Sequence, residues 1–166
     1  MQGPANHRPF PFSPFRKLTM SLLKQFGTDS AKENNGVEFE LGENEHNGQP
    51  MKVLLARRSM SNKRYKKAVD RFTKPYRRQI ETDTLPAEKN NEIQVQIFAE
   101  ACLLSWQNIP LSDITGNQED KAKIAEYNTD NVVKMLLKIP ELFSMLSLQA
   151  TTMDLYKLDI EDDAKN

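Results

Sequence analysis

The pattern of apolar and polar positions changes period along this chain. Residues 36–42 alternate, with Val37, Phe39 and Leu41 on one face and Glu38 and Glu40 on the other. Met51, Val53 and Leu55 alternate again after the Asn47-Gly48 turn signal. A period of two puts alternate side chains on one face of a strand, so the spacing predicts a β-hairpin over about 36–56. An isolated hairpin is marginal in water and has to pack on something, here the helices. From Ser61 the period becomes helical: Tyr65, Ala68, Val69, Phe72, Tyr76 and Ile80 form one stripe, with Ser61 or Asn62 as cap and a kink or restart at Pro75. After a break at 82–87, Ile93, Ile97, Phe98, Ala101 and Leu104 predict a second helix over roughly 88–106, ended by Ile109-Pro110. Residues 111–120 read as a loop and 121–127 as a helical turn or short strand. A third helix, capped by Asn128 or Thr129, points Val132, Val133, Leu136 and Leu137 inward. Pro140 opens a fourth, with Leu142, Phe143, Leu146, Ala150, Met153 and Tyr156 on its apolar face.

The ends differ. Residues 1–19 interleave four prolines with Phe10, Phe12 and Phe15 and read as an extended arm, with Met20 as a plausible native start. Residues 21–26 make a short helix stopped by Gly27, residues 28–35 a polar loop, and 159–166 an acidic, frayed tail. The expectation is a mainly α (α+β) chain: one domain at 20–158, a small bundle of about four helices with an N-terminal β-hairpin.

Composition narrows the function classes. Hydrophobic residues are 38% and charged residues 28% of 166, which suits a small core with mobile segments. No apolar run is long enough to span a membrane, and the N-terminal residues lack the apolar stretch expected of a secretory signal. Cys102 stands alone, within an apolar helical pattern, and reads as a small core residue. His7 and His46 sit in the arm and the hairpin loop, so with one cysteine they cannot make a structural zinc site. Glycine-rich phosphate loops and the Gly-x-Ser-x-Gly elbow are missing. The reading is a protein that is not an enzyme and needs no cofactor.

Net charge is zero, but it is unevenly spread. Between residues 57 and 78 ten lysines and arginines face one acid, Asp70, a net of +9. On a helix, Arg64, Lys67, Arg71, Lys74 and Arg78 fall away from the apolar stripe. Residues 28–45 carry a net of −5. Three readings stay open: a solvated face balancing the acidic hairpin, a surface for an acidic protein partner, and a nucleic-acid surface. Phosphate binding needs a wider basic surround, which the rest of the chain does not supply, so nucleic acid ranks behind protein. A second candidate surface is the final pair of helices, where Met135, Met145 and Met153 with leucine and phenylalanine neighbours would adapt to varied apolar partners.

The order of segments is also informative. An apolar strand ends in Ala56-Arg57-Arg58 and is followed by Asn62-Lys63-Arg64-Tyr65-Lys66-Lys67 and by Lys74-Pro75-Tyr76-Arg77-Arg78. Then come Leu103-Leu104-Ser105-Trp106, Tyr127 with Asn131-Val132, and Pro140-Glu141-Leu142-Phe143. Over residues 36–158 this resembles the tail assembly chaperones of bacteriophages with long, non-contractile tails. The resemblance implies a protein that coats the tape measure protein, keeps it soluble and helps recruit tail tube subunits. It also implies action in the host cytoplasm, absence from the mature virion, and self-association as an open possibility. The implied partner-binding residues are Arg64, Lys67, Arg71, Lys74 and Arg78, which would set orientation, and Leu142, Phe143, Met145, Leu146 and Met153, which would touch the client. The runner-up is a small phage or bacterial nucleic-acid-binding regulator using residues 57–78.

Overall fold

The computed structural model describes residues 21–159, so the arm at 1–19 and all but the first residue of the acidic tail lie outside the described residues. Helices α1 (Leu22–Phe26) and α2 (Ser30–Asn35) precede strands β1 (Val37–Glu43) and β2 (Pro50–Leu55). Helix α3 (Lys63–Thr73) passes through a 3-10 turn (Lys74–Tyr76) into α4 (Arg77–Glu81). Then follow α5 (Ala87–Ala101), β3 (Leu103–Gln107), α6 (Leu111–Thr115), α7 (Thr129–Lys138), α8 (Pro140–Thr151) and a closing 3-10 turn (Met153–Tyr156). The architecture is mixed α+β: helices around a three-stranded antiparallel sheet in the order β1-β2-β3.

The hairpin forms as its alternation requires. Phe39 pairs with Val53 and Val37 with Leu55, which aligns the apolar faces of both strands, and the register shifts between Glu40 and Gly42. The third strand corrects the expected helix over 88–106. Helix α5 ends at Ala101, and Cys102 turns the chain so that Leu103 pairs with Leu55 and Trp106 with Val53. β2 thereby gains a partner on its second edge, satisfying backbone groups that a lone hairpin leaves open. Trp106 is locked there by its Nε1, which donates to the Ala125 carbonyl at 2.9 Å, and by Tyr127 edge-on at 5.6 Å.

Two other segments expected to be loop are helical. Asp29 caps α2 by accepting from the Ala31 and Lys32 amides, and Gly36, at φ 87°, ends it. A Cβ at Gly36 would come within 2.9 Å of Leu54, so both the backbone angle and the space call for glycine. Residues 111–115 form α6, closed by Gly116 in the left-handed conformation. Only an isolated bridge, Pro110 to Ile124, is strand-like within 121–127.

Helix α5 is the spine, buried at Ile93, Val95, Ile97, Phe98, Ala99 and Ala101. It packs against α3, α7 and β3. In α7 the inward residues are Val132, Met135 and Leu136, whereas Leu137, expected inside, is exposed. The two chain ends meet where Thr28 bridges Lys157, and the buried Tyr156 hydroxyl donates to the Leu55 carbonyl at 3.1 Å. No helix among the described residues is long and apolar enough to cross a membrane.

Candidate functional site: a basic ridge beside an open groove

Asn62 sets the start of the basic helix. Its side-chain oxygen accepts from the Arg64 and Tyr65 amides, and its amide nitrogen donates to the carbonyls of Arg57 and Glu33. The residue is fully buried. Asn62→Ala removes the cap and the Asn62 donor to the Arg57 carbonyl; we expect a loss of about 2 kcal/mol in urea unfolding. Asn62→Asp keeps the capping oxygen but buries a carboxylate oxygen against those carbonyls and should lose at least as much.

The segment's first two cations are structural. Arg57 forms an ion pair with the buried Glu33 of α2, and Arg58 donates to Gln94 at 3.1 Å and to the Tyr65 hydroxyl at 3.4 Å. The remaining eight, from Lys63 to Arg78, are all exposed. Of these, Arg71 alone has an ion-pair partner among the described residues, Glu100 on α5. The acidic hairpin does not balance them: Glu38 pairs with Lys52 at 2.6 Å on its own sheet, and only Glu33 reaches into the basic segment. Arg64, Lys67 and Arg71 recur at three- and four-residue steps on one flank of α3, and Lys74 and Arg78 continue the ridge past Pro75.

Beside the ridge lies a groove of about 420 Å³ between α3, α5 and α7. Phe72 and Val133, both half-buried, supply its apolar floor. Arg71, Gln96, Glu100 and Lys134 form its polar walls, and Thr129 and Asp130 its end. The Arg71 guanidinium lies 4.5 Å over the Phe72 ring, so the ridge and the floor meet there. Tyr127, whose hydroxyl donates to the Leu103 carbonyl at 2.8 Å, has its phenol pushed up by burial, with the nearby Arg64 charge opposing.

The residues expected on the final helices are placed differently. Leu146 is fully buried, and Leu142, Phe143 and Met145 are half-buried against the core, Phe143 edge-on to Phe98 at 5.5 Å. Met135 is also buried, and Met153 sits half-buried in the closing 3-10 turn. Of these five residues Leu146 is sealed in the core, while Leu142, Phe143, Met145 and Met153 pack against the core or the closing turn and keep part of their surface exposed. What α7 and α8 leave exposed is Leu137 and Leu148. The Cys102 thiol is sealed in the core and pushed up to about 12 by that burial, with Arg58 opposing weakly.

The α3–α4 ridge with the groove at its flank is the candidate surface that the described residues offer. No curated protein and no solved structure matches the chain. Residues 60–166 match the family described as YdaY prophage protein, a span that takes in every residue of the ridge from Lys63 onward and of the groove but leaves out β1 and β2. With well over half of its 166 residues matched, the chain belongs to the YdaY prophage protein family and is phage-derived.

Proposed function

We propose that the protein is a prophage tail assembly chaperone, which binds the tape measure protein, holds it soluble and helps recruit tail tube subunits. On this reading it works without catalysis, in the host cytoplasm, and does not enter the finished virion. The observation that carries the reading is the ridge of exposed cations Arg64, Lys67, Arg71, Lys74 and Arg78 beside a groove with an apolar floor on a prophage protein. A holding chaperone needs a surface that takes apolar side chains reversibly and charge that orients the client. A tape measure protein, built of long amphipathic helices, is a client of that kind. The test is co-expression with the tape measure gene of the same prophage. The tape measure should shift from the pelleted to the soluble fraction when this protein is present. Equal solubility in its absence would overturn the reading.

The same run of cations also favours a second reading, a nucleic-acid-binding regulator. Labelled duplex and RNA titrated at two salt concentrations separate the two. A phosphate-binding ridge gives affinity that falls steeply with salt. Binding absent at micromolar protein removes that reading.

A further inference from the structure

We propose that the groove between α3, α5 and α7 is a docking site for one helix, an amphipathic segment whose apolar stripe is flanked by carboxylates. The chaperone reading supplies the identity of the client; the chemistry of the occupant follows from the groove itself. The floor of Phe72 and Val133 is apolar and half-covered, and its volume of about 420 Å³ accommodates a few partner side chains. Arg71 lines the groove, Arg64 and Lys67 precede it on the same helix beside Asn34 and Asn35 of α2, and the ridge continues with Lys74 and Arg78. Within α3, from Arg64 to Arg71, the rise is about 10 Å, two turns of a partner helix lying alongside. Carboxylates every three or four residues on such a helix would meet these cations in register. Arg71 has two roles in this arrangement: it caps the Phe72 ring and can exchange Glu100 for a partner carboxylate.

The same observations weigh against a nucleic-acid strand in the groove. Tyr65, Phe72 and Tyr76 are half-buried against the core and offer no open stacking platform.

The test uses the full chain and a designed helical peptide of about 20 residues, leucines on one face and glutamates along both edges, followed by fluorescence anisotropy. A counterpart with lysine for every glutamate and a labelled DNA duplex are the comparisons. The glutamate peptide should bind at micromolar protein, with the lysine peptide at least about 10-fold weaker. Lys67→Glu with Lys74→Glu, two exposed positions with no ion-pair partner among the described residues, should weaken the glutamate peptide by about 10-fold or more and flatten its salt dependence. Val133→Thr, which keeps the volume, should weaken it a few-fold with the salt dependence unchanged. Equal affinity for both peptides, or preference for the duplex, overturns the proposal. Co-expression with the tape measure separates this from the chaperone reading. A tape measure solubilised equally by the wild type and the double variant sinks the groove but leaves the chaperone. A tape measure that stays insoluble, while the glutamate peptide binds as described, sinks the chaperone but leaves the groove.

Discussion

Phe98→Ala should lower the free energy of unfolding by about 4 kcal/mol and the thermal midpoint by roughly 10 °C. Phe98 is 1% exposed, on the helix that α3, α7 and β3 all pack against. Its ring meets Phe143 of α8 edge-on at 5.5 Å, with an interplanar angle of 78°. Truncation therefore removes a buried ring and the aromatic pair together. The cavity cannot close by a local shift of Phe143, because α8 is fixed by its own buried Leu146 and Ala150. Urea unfolding followed by circular dichroism reads the change. Leu148→Ala, on the same α8 but 66% exposed, is the control and should move stability by less than about 0.5 kcal/mol. Similar effects from the two substitutions would show that α5 is not the spine of the fold.

The parts of this fold that were legible in the sequence are those whose signal is local. Alternation at Val37, Phe39 and Leu41 and at Val53 and Leu55 specifies both strands, and it fixes their register because a one-residue slip would turn every apolar side chain to the wrong face. Asn62, Asn128, Pro75 and Pro140 mark helix boundaries through their own chemistry, and all four do so in the structure. β3 was not legible for the opposite reason. Leu104 continues the helical spacing of α5, and Leu-Leu-Ser-Trp-Gln has no alternation of its own. What makes it a strand is the open edge of β2, a partner some fifty residues back in sequence. α2 escaped because its single buried side chain is a carboxylate, Glu33, so no apolar stripe announces it. The candidate site divides along the same line. Exposed cations at helical spacing are visible in sequence, and the ridge is where they predict it. The groove depends on how far α7 stands from α3 across α5, which no local spacing encodes. The methionine-bearing face illustrates the converse: an apolar stripe says which side is inward but not whether another element already covers it, and Leu146 is covered completely.

Glu33→Ala should cost about 3 kcal/mol, more than any exposed charge in the molecule, because it removes one half of a largely buried ion pair. The Glu33 side chain is 6% exposed and that of Arg57 19%. One Glu33 carboxylate oxygen receives the Arg57 guanidinium, the other the Ser61 hydroxyl at 3.0 Å. The Arg57 Nε is buried and has no hydrogen-bond partner among the described residues, so without Glu33 the guanidinium would be left still less compensated. The node joins α2 to the end of β2 and to the cap of α3, since the Arg57 amide donates to the Glu33 carbonyl at 2.9 Å and Asn62 donates to the same carbonyl at 3.3 Å. Loss of the pair therefore loosens the entry to the basic helix as well as α2. Acid gives an independent reading of the same node. Burial pushes the Glu33 carboxyl up, but hydrogen bonds from Thr28, Arg57 and Ser61 and the Arg57 charge outweigh burial and hold it below the ordinary carboxylate value. A group whose folded value lies below its unfolded one contributes fully above the unfolded value, about 4.3 for glutamate, and loses that contribution as pH falls through the folded value. The wild type should thus be destabilised on acidification more steeply than Glu33→Gln, which keeps the shape but cannot titrate. In urea unfolding the gap between the two proteins should be largest near neutral pH and narrow below about pH 4. A gap that stays constant down to acid pH would mean that the ionised carboxylate is not what holds α2, β2 and α3 together.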